Sequence, residues 1–134
     1  IQAYRDMVKQ FPIVILEDPL GEEDYEGHAI LTRELGVQIV GDDLFTTNPA
    51  RLRQGIAVGG ANCMLLKVNQ VGTVSEARAA LQAAQAAGWG TLVSARSGDT
   101  EDLSIVHLST GWDAGQIKVG SFARRMKSII SSSA

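Results

Sequence analysis

Short apolar segments rich in β-branched residues recur along the chain, and a polar or charged residue follows each of them within two positions. Five such segments are present, at residues 13–16, 38–40, 63–66, 91–93 and 116–117. Apolar character on both faces is typical of parallel strands that are covered by helices. The pattern therefore predicts five buried, parallel strands.

Signals for the starts and ends of helices lie between the predicted strands. Thr73 and Glu76 have the spacing of a capping box, and Gly88 lies where a left-handed helix end needs glycine. Asn48 followed by Pro49 is a second start signal. Helices are expected at residues 22–35, 77–87, 101–108 and 122–130. Alternating strands and helices predict an α/β fold with right-handed crossovers, built as a barrel or as a doubly wound sheet.

Composition and charge are those of a globular domain. The chain has 134 residues, of which 45% are apolar, and its formal net charge is −3. So weak an acidic balance gives no reason to expect nucleic acid or an anionic membrane as a partner, and no apolar run approaches the roughly 20 residues of a membrane span. The single cysteine, Cys63, is expected to be a buried, reduced thiol, which agrees with a cytoplasmic location. We expect one domain over residues 1–134, with divergent or frayed residues from about 120 onward.

Charged and polar side chains follow the predicted strands at regular intervals. Glu17, Asp42 and Lys67 are separated by equal steps of 25 residues, about the length of one strand–helix unit. Parallel strands end at one edge of a sheet, and ligands of such folds bind at that edge. The side chains expected there are Glu17 and Asp18, Asp42 and Asp43, Lys67 and Asn69, Arg96 and Ser97, and Lys118.

The types of these side chains suit a small, doubly charged anion and a hard metal ion. Carboxylates such as Glu17 and Asp42 are oxygen ligands suited to magnesium, and a lysine beside them can act as a base if its pKa is depressed. Arginine with a serine can grip a phosphate, and a further lysine can hold a carboxylate. Each residue also has a purely structural explanation, as a helix cap, an ion-pair partner or a member of a polar turn.

A receiver-like domain is an alternative that needs no family knowledge. Asp42 and Asp43, with Lys67 one strand later, have the composition of a phosphoacceptor site. Such an acidic pair would be expected after the first strand, whereas here it follows the second. The alternative is therefore disfavoured.

The motifs at the strand ends resemble those of the enolase family, over about residues 11–118. The matching segments are Glu17-Asp18-Pro19, residues 40–44 and 47–49, residues 65–73, residues 87–90, Ser94 with residues 96–98, residues 100–102, and residues 115–118. The resemblance implies an incomplete TIM barrel of about five parallel βα units. It implies Mg²⁺ as cofactor and the interconversion of 2-phosphoglycerate and phosphoenolpyruvate as the reaction. The implied roles are Glu17 and Asp42 as metal ligands, Lys67 as the base, Arg96 and Ser97 as phosphate ligands, and Lys118 as a catalytic and carboxylate-binding residue.

The chain also departs from the family pattern. Ala95 stands where the family carries a histidine, and residues 119–127 differ from the family sequence that follows Lys118. The resemblance implies that a third metal carboxylate and the acid that expels hydroxide come from family segments that these residues do not match. His28 and His107 lie in predicted helices and are expected to be surface or packing residues.

Two functions from different classes follow from these expectations. The first is an enolase-type hydro-lyase segment for a small phosphorylated carboxylic acid, weak or inactive until its site is completed. The second is a non-catalytic half-barrel that binds metal or anions or mediates oligomerisation. Because five strands leave two open edges and the chain starts at Ile1, we expect a homo-oligomer or a missing amino-terminal half.

Overall fold

The computed structural model describes residues 1–97, 99–100 and 102–119. Its five strands form one parallel sheet whose spatial order equals the chain order. This confirms the predicted parallel α/β fold. The order also contradicts the receiver-like alternative, because flavodoxin-like sheets place the first strand between the second and the third. The strands are β1 Ile15–Glu17, β2 Gln38–Gly41, β3 Cys63–Lys67, β4 Gly90–Ser94 and β5 Gly115–Ile117.

The predicted strand bounds differ most at β1. Residues 13–16 were expected, but pairing begins at Ile15 and extends through Glu17, which is paired with Val40. Val14 is 71% exposed. The predicted strand thus began two residues too early. It also omitted Glu17, which is polar but whose backbone continues the ladder.

Six helices are present in the described part of the chain. Asp24 accepts a hydrogen bond from the Gly27 amide at 2.8 Å, so the helix expected from residue 22 begins later. Asn48 caps the next helix as predicted, and Thr73 accepts from the Glu76 amide at 3.2 Å. The helices are α1 Gln2–Gln10, α2 Tyr25–Leu35, α3 Pro49–Val58, α4 Val68–Val71, α5 Val74–Ala86 and α6 Ser104–Gly111.

Other helix predictions fared differently. Helix α1 was not predicted, and it has neither a side-chain cap nor a buried residue. The helix expected at 101–108 begins at Ser104 instead. The predictions for residues 122–130 and for the frayed end fall outside the described residues. No helix in the described ranges is long and apolar enough to cross a membrane.

Both faces of the sheet are buried by apolar side chains. One cluster comprises Val40, Cys63, Leu65 and Leu92, which alternate along the strands with residues of a second, larger cluster. The second cluster joins the sheet to the helices and includes Ile39, Met64, Leu66 and Val93. This arrangement is that of a barrel wall with an inner and a helix-covered outer face.

Phe45 is the largest side chain in the helix-covered core that is fully buried. Its ring lies against Gly41 and Gly55, and a Cβ atom at either glycine would overlap the ring. The ring centroids of Phe45 and Trp89 are 5.6 Å apart. Phe45 thereby joins the loop after β2 to α3 and to the start of β4.

The sheet is strongly curved. Gln38 Nε2 donates to Gln116 Oε1 at 2.8 Å, and Gln116 Nε2 donates to Gln38 Oε1 at 3.0 Å. These residues lie on β2 and β5, which a flat sheet would separate by about 14 Å at about 4.8 Å per strand. The inner face is therefore concave, as in a barrel. The described residues form part of a TIM barrel with β1 and β5 at its two edges.

Candidate active site at the carboxyl ends of the strands

An ion pair joins the ends of β2 and β3. Lys67 Nζ lies 2.5 Å from Asp42 Oδ2, and both side chains are 12% exposed. The other carboxylate oxygen, Asp42 Oδ1, is buried and has no hydrogen-bond partner within the described residues. A buried acceptor without a donor is costly in a folded protein. Asp42 therefore offers one oxygen to a ligand.

A second ion pair joins the first and last strands of the described sheet. Lys118, which directly follows β5, places Nζ 2.6 and 2.7 Å from the two carboxylate oxygens of Glu17, the last residue of β1. This pair is more exposed than the Asp42–Lys67 pair, at 47% for Lys118 and 33% for Glu17. The curvature of the sheet makes the contact possible. Glu17, Asp42, Lys67 and Lys118 together line the carboxyl end of the barrel wall, which we call the mouth, and carboxylates alternate with lysines around it.

Asp18 links the end of β1 to the end of β2 and was not assigned a role from the sequence. Its carboxylate accepts hydrogen bonds from the amides of Asp42 and Asp43, at 2.8 and 2.6 Å. Burial raises the pKa of Asp18; the two amide bonds oppose this effect, and the nearby Asp42 and Asp43 charges add to it. Asp18 has a left-handed backbone with φ of 40°. The only sequence signal was its place directly after Glu17.

A second supporting residue, Thr47, was also missed. Its fully buried hydroxyl accepts from the Lys67 amide at 2.9 Å and donates to Gln70 Oε1 at 2.8 Å. Thr46 and Thr47 have φ values of 49° and 54°, which β-branched residues rarely adopt. Strain of this kind is concentrated at functional sites. The sequence offered no signal for it, because threonine is not a residue typical of this conformation.

The phosphate-binding candidates lie in the loop after β4. Arg96 and Ser97 are exposed, and the Arg96 amide donates to Asn69 Oδ1 at 3.2 Å. Asn69 thus ties this loop to the end of β3. Ala95 is half-buried and packs against the larger apolar cluster. The structure brings the other four predicted site residues into two contacting pairs and leaves the Arg96 side chain in solvent on the same rim.

The two histidines lie in helices, as expected. His28 is fully buried in α2, where its Nδ1 is 2.8 Å from the Asp24 carbonyl oxygen. His107 lies exposed in α6. Neither residue belongs to the mouth.

The donors present at the mouth are compatible with magnesium. In the described part of the chain, no group of three or more His, Cys, Asp or Glu residues could hold a metal ion. Magnesium in enzymes is commonly bound by one or two carboxylates together with water and substrate oxygens. Glu17 and Asp42 supply two carboxylates, and Asp42 Oδ1 has no other partner among the described residues. The residues therefore fit the ion, although both carboxylates are engaged by lysines.

A parallel barrel wall with charged residues at the carboxyl ends of its strands defines a protein of the TIM-barrel class. The sequence matches the family described as "Enolase, C-terminal TIM barrel domain" over residues 1–129. The chain belongs to this family.

Individual relatives agree with the family assignment. The chain is 56% identical to an enolase of Thermococcus gammatolerans over 126 residues, which cover 92% of this chain and 29% of that protein. It is 58% identical to an enolase of Methanopyrus kandleri over 126 residues, covering 92% of this chain and 30% of that protein. An enolase of Pyrococcus furiosus is 56% identical over the same length, with coverages of 92% and 29%. The chain thus spans about three tenths of the length of these curated relatives.

Proposed function

We propose that this chain carries the metal-binding and proton-abstracting part of an enolase-type hydro-lyase site. The substrate class is a small phosphorylated carboxylic acid, and 2-phosphoglycerate and phosphoenolpyruvate are the specific pair. The observation that carries the proposal is the contact of Lys67 with Asp42, whose second carboxylate oxygen is buried without a partner among the described residues. A base beside a metal carboxylate is the arrangement that the reaction requires, and this enolase pattern is itself a standard example of that chemistry.

Each residue of the mouth has a distinct role in this proposal. Glu17 and Asp42 hold Mg²⁺, which when bound offsets the negative charge that develops on the substrate. Lys67 accepts the proton from the carbon next to the substrate carboxylate. Its low exposure of 12% limits competition from water. Lys118 exchanges the Glu17 carboxylate for that of the substrate.

Arg96 and Ser97 bind the phosphate group in this proposal. A guanidinium presents a planar fork of donors that matches two phosphate oxygens. The ion pairs found in the described part of the chain do not include Arg96. Its exposed side chain is thus available to a ligand.

Turnover by this chain alone is expected to be weak. No residue of the mouth is assigned as the acid that protonates the leaving hydroxide, and a missing positioned group commonly costs a hundredfold or more. A second candidate function is therefore a half-barrel that binds metal and anion without turnover. The observation that favours it is the mutual neutralisation of both carboxylates by both lysines, which leaves a stable, self-paired mouth.

The β1 edge of the sheet exposes apolar side chains. Val14 and Ile15, at the β1 edge, are 71% and 40% exposed. Exposed apolar strand edges favour pairing with another strand. We propose that a second copy of the chain or further barrel sequence covers this edge. Light scattering coupled to size-exclusion chromatography tests the first option, and a stable monomer contradicts it.

We also propose a cytoplasmic location for the protein. Cys63 is a free thiol and is fully buried. A reduced cysteine is typical of a reducing compartment.

An activity assay with a matched control tests the proposed function. The chain is mixed with 2-phosphoglycerate and Mg²⁺, and formation of phosphoenolpyruvate is followed by its ultraviolet absorbance. Activity that is lost in Lys67→Ala but retained in Lys9→Ala, which alters an exposed lysine of α1, supports the hydro-lyase. Calorimetric titration with Mg²⁺ separates the two candidates, because binding without turnover identifies the binding module. Absence of both turnover and Mg²⁺ binding contradicts both.

A further inference from the structure

The carboxylate of Asp18 continues the β1–β2 ladder beyond the last paired residues. Backbone pairing of these strands ends at Glu17 and Val40, and the Asp18 amide then donates to the Val40 carbonyl at 3.0 Å. Asp42 and Asp43 directly follow β2, and their amides donate to the two oxygens of the Asp18 side chain at 2.8 and 2.6 Å. A side chain thus takes the place of backbone acceptors.

The backbone of Asp18 explains how this substitution is possible. Its φ of 40° is left-handed, so the chain leaves the extended path of β1 at this residue. Aspartate is among the non-glycine residues most often found in that conformation. The carboxylate remains beside the end of β2, and Pro19, which lacks an amide proton, begins the loop.

We propose that Asp18 is a positioning residue that fixes the orientation of the Asp42 carboxylate. Holding two consecutive amides restrains the backbone on both sides of the Asp42 side chain. That restraint keeps Asp42 Oδ2 on Lys67 Nζ and leaves Oδ1 directed to a ligand. Asp18 acts through Asp42 because each of its own oxygens already accepts an amide bond. The expected effect on Mg²⁺ binding rests on the proposed function, whereas the expected effect on the exchange of the two amides does not.

Two isosteric variants separate positioning from the loss of charge. Asp18→Asn keeps the size of the side chain but replaces one acceptor oxygen with a donor, which cannot bind an amide. Asp43→Asn removes the same charge one residue beyond Asp42 and keeps its backbone amide, and its Oδ1 can still accept from Gln70. Asp18→Ser, which retains a single acceptor oxygen, is the second test variant if Asp18→Asn does not fold.

Amide hydrogen exchange measured by NMR is the first readout, with the full chain in all variants. We expect exchange at Asp42 or Asp43 to be about tenfold faster or more in the Asp18 variant, with core amides such as that of Leu65 unchanged. Exchange that matches the wild-type protein at both amides overturns the proposal. This readout needs no metal.

Calorimetric titration with Mg²⁺ is the second readout. Loss of a residue that orients a metal ligand typically weakens metal binding about 10- to 100-fold. We expect at least tenfold weaker binding in the Asp18 variant and a smaller change in Asp43→Asn. Equal weakening in both variants shows a charge effect and overturns the proposal. If the wild-type chain does not bind Mg²⁺, the metal part of the proposed function fails, and the exchange measurement still decides the role of Asp18.

Discussion

Lys118 and Glu17 form an ion pair although 101 residues separate them in the chain, with Nζ 2.6 and 2.7 Å from the two carboxylate oxygens. The pair links the two edges of a five-stranded sheet across its inner face. Because both partners are partly exposed, their attraction contributes little to stability. The pair therefore keeps two charged groups at the mouth but adds little to the stability of the barrel.

Replacing Lys118 is expected to affect binding more than stability. In Lys118→Met the free energy of unfolding should fall by less than about 1 kcal/mol, since exposed ion pairs have that range. Affinity for phosphoenolpyruvate in the presence of Mg²⁺ should fall about tenfold or more, because a charged partner for the carboxylate is lost. Denaturant titration and calorimetry measure the two quantities. Arg5→Met, which removes another partly exposed ion pair with Glu34, is the control and should leave affinity unchanged.

Removing the Thr47 hydroxyl is expected to destabilise the protein while keeping its shape. Thr47→Val leaves the part-buried Lys67 amide and Gln70 without their partner, at a cost of about 1–3 kcal/mol. Valine is also β-branched, so backbone strain stays the same. Thr46→Val is the matched control, because it has a similar φ and loses only a local bond to the Phe45 carbonyl. A loss of stability in the control as large as in Thr47→Val would assign the effect to the turn in general.

The buried thiol of Cys63 is expected to make the protein less stable in alkaline solution. Burial raises the pKa of Cys63 from 9.0 to about 11, and a hydrogen bond from Gln38 opposes this in part. Because the folded state holds the proton more tightly, this stability is fully present below about pH 9 and is lost as pH rises through 11. The loss can reach about 3 kcal/mol for a pKa difference of about two.

Cys63→Ala isolates this effect from other groups that titrate in the same range. The difference in unfolding free energy between wild type and variant should shrink or reverse from about pH 9 upward to about pH 11. Thiol reagents at neutral pH should react with the wild-type protein only after denaturant is added. Rapid reaction of the native protein would contradict the burial of Cys63.

A double-mutant cycle on Gln38 and Gln116 tests the curvature of the sheet in solution. The single changes to alanine and their combination should give a coupling energy of about 1 kcal/mol in unfolding experiments. The coupling arises because the two amides bind each other reciprocally across the inner face. Zero coupling would be the result for a flat sheet, in which β2 and β5 are too far apart for contact.

The sequence was sufficient for the order of the five strands and for the charged side chains at their ends. Periodic apolar runs and caps such as Asn48 act locally, and local signals are visible in a single chain. The pairing of Glu17 with Lys118 was not predictable from the same residues. It depends on the curvature of the sheet, which arises from twist accumulated over five strands.

The supporting residues were missed for a related reason. Asp18 and Thr47 act through hydrogen bonds to backbone amides at the ends of β2 and β3, respectively. The type of a residue does not predict such a bond. The left-handed φ of Thr47 even opposes its intrinsic preference. Conversely, α1 was missed because no capping side chain marks its start at Ile1 and none of its residues is fully buried.

The ring of Phe45 fills the space that side chains at Gly41 and Gly55 would occupy. Positions 41, 45 and 55 are therefore expected to change together in evolution. A side chain at either glycine fits only if residue 45 is already smaller. A shrunken residue at 45 alone would leave a void beneath the loop of Asp42, at a cost of about 3–5 kcal/mol. A single substitution at either kind of position lowers the stability of the protein, so changes here are expected to arise in pairs or not at all.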